Sequence, residues 1–395
     1  MQPLYVTGLS IASALGAGLE PTFAALREGR SGLRRNDFGP FPPPTWIGRV
    51  DGLESAPVVG ELARFDCRNN RLAQLALDQD GFDEAVARAR ERHGAARIAV
   101  LLGTTTSGIL ETELAYRRGG EVEKLLAARD YAATHGMFSL AEFVRRRLGL
   151  EGPAATVSNA CASSAKVFAQ AQRLVEADVC DAAVVGGVDS LCLTTLYGFR
   201  SLELLSEAPC RPCDERRDGI SIGEAGGFAL LEKAPARGRD AVALLGYGES
   251  SDGYHMSSPH PGGKGALLAM RDALARAEAR PDEIDYINLH GTGTPANDRA
   301  EDAALYALFG GAARASSTKG WTGHTLGAAG IVEAAISVLC IERGFVPGTL
   351  NTEQPDPALH TRVALESESR PLARVLSNSF GFGGNNCSLL FGRPG

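Results

Sequence analysis

Residues 154–165 read AATVSNACASSA. Ala155, Thr156 and Val157 form an apolar, strand-favouring run that stops at Ser158 and Asn159. Cys161 follows, and Ala162, Ser163, Ser164 and Ala165 lead into a helix-like segment, residues 166–177. A thiol placed where a strand gives way to a helix lies close to unpaired backbone N–H groups and to the positive end of the helix dipole. Both favour the thiolate, which is the reactive form. The small residues after it leave room for another backbone or a ligand to approach. The stretch predicts a strand–turn–helix unit that presents Cys161 to an acyl group.

The same alternation runs outward in both directions. Upstream, residues 4–8 and 98–102 read as buried strands, 21–27 as a helix and 36–44 as a Pro- and Gly-rich loop. Residues 71–92 read as one amphipathic helix and 111–148 as mostly helical. Downstream, strands are expected at 182–185, 228–231, 242–246, 286–289, 375–377 and 388–391, with helices at 264–279, 298–309 and 331–342. Strands apolar on both faces, alternating with helices, predict a layered α/β architecture. Each half opens with a short strand, Val6-Thr7-Gly8 or Leu244-Leu245-Gly246, and later has a strand ending in a reactive residue. The expectation is an internal duplication, with an N-terminal half over 1–240 and a C-terminal half over 241–395. No linker composition separates them near residue 240, so the halves should share one core.

At 395 residues the chain can bury a large core, and its 47 glycines, set between periodic segments, point to tight turns rather than disorder. A net charge of −7 argues against nucleic acid as a partner but leaves room for a local basic patch. Eight cysteines without a framework spacing suit a reducing compartment. The N-terminus lacks a basic n-region and no apolar run is long enough to span a bilayer, so a cytoplasmic location is expected.

Three further stretches carry unusual chemistry. LHGTGTPANDRAE (289–301) sets His290 at a strand end before a Gly/Thr turn. TKGWTGHTLGAAG (318–330) holds Lys319, His324 and a helix start made of small residues. SNSFGFGGNN (377–386) is a glycine-rich turn carrying Phe380 and Phe382. Together with RPCDERRDGISIGEAGG (211–227), GGVDSL (186–191) and the five-residue step from Lys319 to His324, these motifs occur in a familiar order. The set resembles the signature of the decarboxylating, two-histidine β-ketoacyl-acyl-carrier-protein synthases, over nearly the whole chain.

The resemblance implies a thiolase-like fold of two pseudo-duplicated halves in five layers, α-β-α-β-α, usually assembled as a homodimer. It implies no bound cofactor and no metal, with substrates delivered on the phosphopantetheine arm of acyl carrier protein. In such an enzyme Cys161 accepts the acyl chain, malonyl-carrier protein loses carbon dioxide, and the enolate attacks to give a 3-oxoacyl product two carbons longer. His290 and His324 would donate hydrogen bonds to the enolate oxygen, and the backbone N–H groups of Cys161 and Phe382 would form a second oxyanion hole. Lys319, with Glu301 as its ionic partner, would support the histidines. Phe380 and Phe382 resemble the gate that swings when the acyl chain enters. Arg68 and Arg71 match positions that contact the acidic carrier protein.

One departure is Lys166, five residues past Cys161, where relatives often carry an uncharged residue or His. Cys180, Cys192, Cys340 and Cys387 read as inert core, and His93, His135 and His360 as surface or satisfied groups. Cys210 and Cys213 lack the second cysteine pair of a zinc site. His255 and His260 lie in a polar loop, expected to be solvated. The alternatives are a dedicated ketosynthase of polyketide or aryl-polyene biosynthesis, a non-catalytic ketosynthase partner subunit, and a coenzyme A-dependent thiolase. The second lacks the cysteine; the third pairs one histidine with a second cysteine near the C-terminal glycine turn, where Cys387 lies.

Overall fold

The computed structural model describes residues 1–118, 130–234, 241–312 and 314–394. Ten strands of the main sheet are, in chain order, β1 (Leu4–Ser13), β2 (Ile98–Gly103), β3 (Ala154–Val157), β4 (Ala182–Asp189), β5 (Ala225–Glu232), β6 (Ala243–Ser251), β7 (Tyr286–Asn288), β8 (Ala315–Ser316), β9 (Arg374–Gly381) and β10 (Asn385–Gly392). A two-residue strand, Gly16–Ala17, hangs off β1. The spatial order is β8-β7-β9-β10-β6-β1-β5-β4-β2-β3.

That order is one five-strand pattern used twice. In each set the first strand is flanked by the last, then the fourth, then the second, with the third at the edge. Pairings also repeat: antiparallel for β1/β5, β5/β4, β6/β10 and β10/β9, parallel for β4/β2, β2/β3, β9/β7 and β7/β8. The two sets meet at β1 and β6 through only two residue pairs, Leu4 with Leu244 and Tyr5 with Ala243.

The period of two along each strand builds the layers. Along β2, Ala99 and Leu101 face the central core, while Ile98, Val100 and Leu102 face an outer core. That outer core is closed by the helices Arg68–Leu77, Phe82–His93 and Ser139–Arg147. On the far side Ala243 and Leu245 of β6 pack under the helices Lys264–Arg276 and Pro295–Phe309. The middle layer is the pair of helices Ser163–Glu176 and Ala329–Arg343. Every residue from Ala329 to Ile341 is buried, as a helix sandwiched between two sheets requires. These are the five layers of a thiolase-like fold.

Two expected helices are shorter than their patterns. The 71–92 segment is two helices, because Asp80 and Gly81 take left-handed backbone angles (φ 58° and 68°) and break the first from the second. Within 111–148 the helices are Ile109–Arg117 and Ser139–Arg147, and residues 119–129 lie outside the described residues. Among the described residues no helix is long and apolar enough to cross a membrane.

Candidate active site

The Cys161 turn is built as the sequence suggests, with added strain. After β3 the chain bends at Ala160, a non-glycine residue at φ 48°, and Cys161 stands two residues before the helix Ser163–Glu176. Such a conformation persists only where surrounding contacts over-determine it. The Asn159 N–H donates to Ser163 Oγ at 2.8 Å, and the Ser163 hydroxyl donates to the Ala160 carbonyl at 2.5 Å. Asn159 Nδ2 donates to Asn385 Oδ1 at 3.0 Å, tying this turn to the glycine-rich turn after β9. Gly381 lets the two turns approach closely: a Cβ would lie 3.1 Å from the Cys161 backbone nitrogen and 3.2 Å from that of Ala162.

Cys161, His290 and His324 come together. Cys161 Sγ and His324 Nε2 are 3.0 Å apart, and the two imidazoles meet edge to face at 5.3 Å. One donor atom from each of the three lies within 4.8 Å of the others, the only such metal-type cluster among the described residues. A tetrahedral zinc would hold sulfur and nitrogen about 3.5 Å apart, given bonds of about 2.3 and 2.0 Å. The closer approach is that of a hydrogen bond. The cluster lines a cavity of about 110 Å³ together with Phe199, Phe382 and the Thr292 turn. Asp252, Ser257, Ser258 and Pro259 border it, so the His255–His260 loop reaches the cavity wall.

Burial sets the electrostatics. It pushes the Cys161 thiol up to about 12, against the pull of Lys319 and of the Phe382 N–H that hydrogen-bonds the sulfur. The helix-start effect expected from the sequence is therefore outweighed by desolvation. Both histidines are held well below 6.5, first by burial and then by Lys319, so both are neutral at pH 7. Lys319 Nζ lies 3.5 Å from His290 Nδ1. An ammonium has no acceptor, so Nδ1 carries the lone pair and the His290 proton sits on Nε2. His324 Nδ1 is buried with no hydrogen-bond partner among the described residues.

Lys319 is fully buried, but its ionic partner is Glu333, not Glu301 as expected. Glu301 instead accepts the backbone N–H groups of His290 (2.9 Å) and Gly291 (2.8 Å) and the Asn378 amide (3.2 Å), which fixes the His290 turn. Burial raises both carboxyls to about 7, and Lys319 pulls Glu333 back. Glu333 had a legible signal: it is the only charged residue in the wholly buried run 329–341, and a buried charge needs a partner.

Arg68 and Arg71 are not a surface patch. Arg68 is 5% exposed and forks onto the buried Glu224, donating from Nε to Oε2 (2.8 Å) and from Nη2 to Oε1 (2.5 Å), with Glu54 on its remaining nitrogen. Arg71 forks onto Asp66 at 2.7 and 2.6 Å and also holds the Leu53 and Glu54 carbonyls. The donors of Arg68 are spent inside the fold, and those of the half-buried Arg71 on Asp66 and the 53–54 backbone. Of the two phenylalanines, Phe380 is buried within β9 against His290, whereas Phe382 sits half-buried in the turn against Phe199 at 5.6 Å. Gly383 and Gly384, at φ 74° and 70°, follow Phe382. Lys166 points to Glu249 at 3.3 Å, beside Arg173. Cys387 is fully buried in β10 and does not line the cavity, so no second thiol joins the cluster.

Two family models cover the chain in tandem: the beta-ketoacyl synthase N-terminal domain at residues 1–236 and the C-terminal domain at 242–353. A mitochondrial 3-oxoacyl-[acyl-carrier-protein] synthase of Arabidopsis thaliana is 34% identical, over 98% of this chain and 92% of its own. A 3-oxoacyl-[acyl-carrier-protein] synthase 2 of Vibrio cholerae is 33% identical, over 98% of each. Among solved structures, a chain of the complex of the ketosynthase ApeO with its chain length factor ApeC from Xenorhabdus doucetiae superimposes with a TM-score of 0.89 at 40% identity, covering 100% of this chain and 98% of that one. A chain of the ishigamide ketosynthase/chain length factor gives 0.90 at 29%, with full coverage of both. With two family models matching 1–236 and 242–353 and a relative 34% identical over 98% of this chain, the chain belongs to the beta-ketoacyl synthase family, whose members are condensing acyltransferases.

Proposed function

We propose that the chain is a 3-oxoacyl-[acyl-carrier-protein] synthase with Cys161 as nucleophile. The observation that carries the reading is the convergence of one thiol and two neutral imidazoles in a buried cavity. Cys161 Sγ attacks the thioester carbonyl of an acyl group on a phosphopantetheine arm. The C–S bond to the arm breaks, and the arm's thiol leaves with the cysteine proton. The Phe382 and Cys161 N–H groups serve the oxyanion of that step.

Malonyl-carrier protein then binds, and its C–C bond to the carboxylate breaks. The electron pair passes to the thioester oxygen, where His290 Nε2–H and His324 donate hydrogen bonds. Neutral donors suit this role, because an imidazolium would protonate the enolate instead of holding it. The enolate carbon attacks the acyl carbonyl and expels Cys161. One proton is taken up to restore the thiol, and carbon dioxide and the lengthened 3-oxoacyl thioester leave. Lys319, with Glu333, fixes the His290 tautomer, Glu301 fixes its turn, and the gate is assigned to the half-buried Phe382 in place of Phe380, which is buried within β9.

The halves 1–240 and 241–395 are read as the two repeats, on the strength of the repeated strand order. The partner is an acyl carrier protein, and the eight buried free thiols suit the cytoplasm. A second reading, a dedicated ketosynthase working beside a chain length factor instead of as a homodimer, draws on the 40% identity to a chain of the ApeO–ApeC complex.

The test is the pair of half-reactions. Cys161→Ala should yield no acyl adduct by intact mass; a normal adduct would refute the nucleophile. His290→Ala or His324→Ala should slow malonyl decarboxylation roughly 100- to 1000-fold, the loss typical of one oxyanion donor. Decarboxylation at the wild-type rate would remove that histidine from the mechanism.

A further inference from the structure

Asp189 ends β4, is wholly buried and has no part in the chemistry above. Its carboxylate gathers three segments. Oδ1 accepts the Thr105 N–H (2.7 Å), the Thr106 N–H (3.0 Å) and the hydroxyls of Thr104 (2.7 Å) and Thr106 (3.0 Å), all in the turn that follows β2. Oδ2 accepts the Thr105 hydroxyl and, at 2.7 Å, the N–H of Gly327. Gly327 belongs to the other half of the fold, three residues past His324, in the short turn Leu326–Ala328 that opens the central helix.

That turn needs an external hold. Leu326 is a non-glycine residue at φ 53°, a conformation maintained only by what surrounds it. Asp189 supplies a carboxylate acceptor for a backbone donor there, a charge-assisted bond in a dry interior. The fit leaves no slack: a Cβ on Gly327 would lie 2.8 Å from Asp189 Oδ2 and 3.1 Å from the Thr105 nitrogen. On the His324 side, the histidine N–H donates to the Ser221 carbonyl at 2.7 Å, so the segment is pinned before and after the imidazole.

We propose that Asp189 is a positioning residue for the condensation, holding His324 Nε2 against Cys161 Sγ through the Gly327 N–H. The two halves are thereby registered at the one place where a side chain from each must meet. The inference rests on the reading of His324 as an enolate donor.

Asp189→Asn tests it selectively. The amide nitrogen can take only one of the two oxygen positions. At Oδ1 it would face two backbone N–H groups; at Oδ2 it faces one, and the Thr105 hydroxyl there can rotate to accept. The second placement wins, so the Thr104–Thr106 turn stays held and Gly327 alone loses its acceptor. The expected result is a fall of about tenfold or more in kcat for malonyl-carrier decarboxylation and for condensation. The KM for malonyl-carrier protein and the rate of Cys161 acylation should each stay within about twofold.

Gly327→Ala pushes the same turn off the carboxylate from the other side. It should give the same split and decides the matter if Asp189→Asn does not fold. A merely structural role would depress both half-reactions together or raise KM. That result, or unchanged decarboxylation in both variants, overturns the proposal. Wild-type enzyme run alongside separates the failures: absence of any malonyl decarboxylation there would refute the functional reading itself.

Discussion

At the scale of single residues, burial decides more than motif. Cys161 is recognisable from the twelve residues around it, and His290 and His324 from theirs, because each sits in a local turn that the sequence spells out. Their protonation behaviour is not legible in the same way. A thiol pushed up to about 12 is neutral at pH 7, so its alkylation by iodoacetamide should climb about tenfold per pH unit from pH 7 to 9. A plateau below pH 9 would contradict the dominance of desolvation. Arg68 shows the opposite failure, a surface-looking residue that is interior. Its partner Glu224 stands 156 residues away in sequence, beyond any local pattern. Arg68→Ala leaves that carboxylate buried and unpaired, and should cost about 3–5 kcal/mol in urea unfolding. A loss confined to carrier-protein affinity, with stability intact, would restore the surface patch.

Among the elements, those read correctly have a pattern set by burial on fixed faces. β2, and β4 up to Asp189, are apolar because they lie between two layers of helices, and their runs are visible as such in the sequence. The 71–92 segment reads as one helix because its apolar spacing continues across the break. What ends the first helix is backbone geometry at Asp80 and Gly81, which periodicity does not report. The central helices owe their closeness to small residues. A Cβ on Gly330 would stand 2.4 Å from the Ala165 nitrogen and 2.8 Å from its Cβ, so the two backbones nearly touch. Gly330→Ala gains helix propensity but must spread the helices that carry Cys161 and follow His324. Overpacking should dominate, with a net loss of about 1–3 kcal/mol by denaturant unfolding and a drop in condensation. A stabilised variant would mean the layer can relax without cost.

For the molecule as a whole, the sequence suggests a duplication and one shared core but does not show how the halves join. The sheet junction is slight, two residue pairs between β1 and β6. The shared core is not: the helices Ser163–Glu176 and Ala329–Arg343 lie in one cluster with Ala99, Leu101 and Val185 from one set of strands and Leu244, Val375 and Leu389 from the other. A half expressed alone would keep its sheet and its outer helices but expose the inner face that its partner covers. The helix 329–343 would turn thirteen consecutive buried residues, Ala329 to Ile341, partly toward water. Apolar faces of that extent drive association in place of folding. Residues 1–240 and 241–395 produced separately should therefore be insoluble or molten, without a cooperative thermal transition. Produced together they should associate and recover a Cys161 that accepts an acyl group. A sharp melting transition in either half alone would show that the middle layer is an interface between two domains, not the core of one.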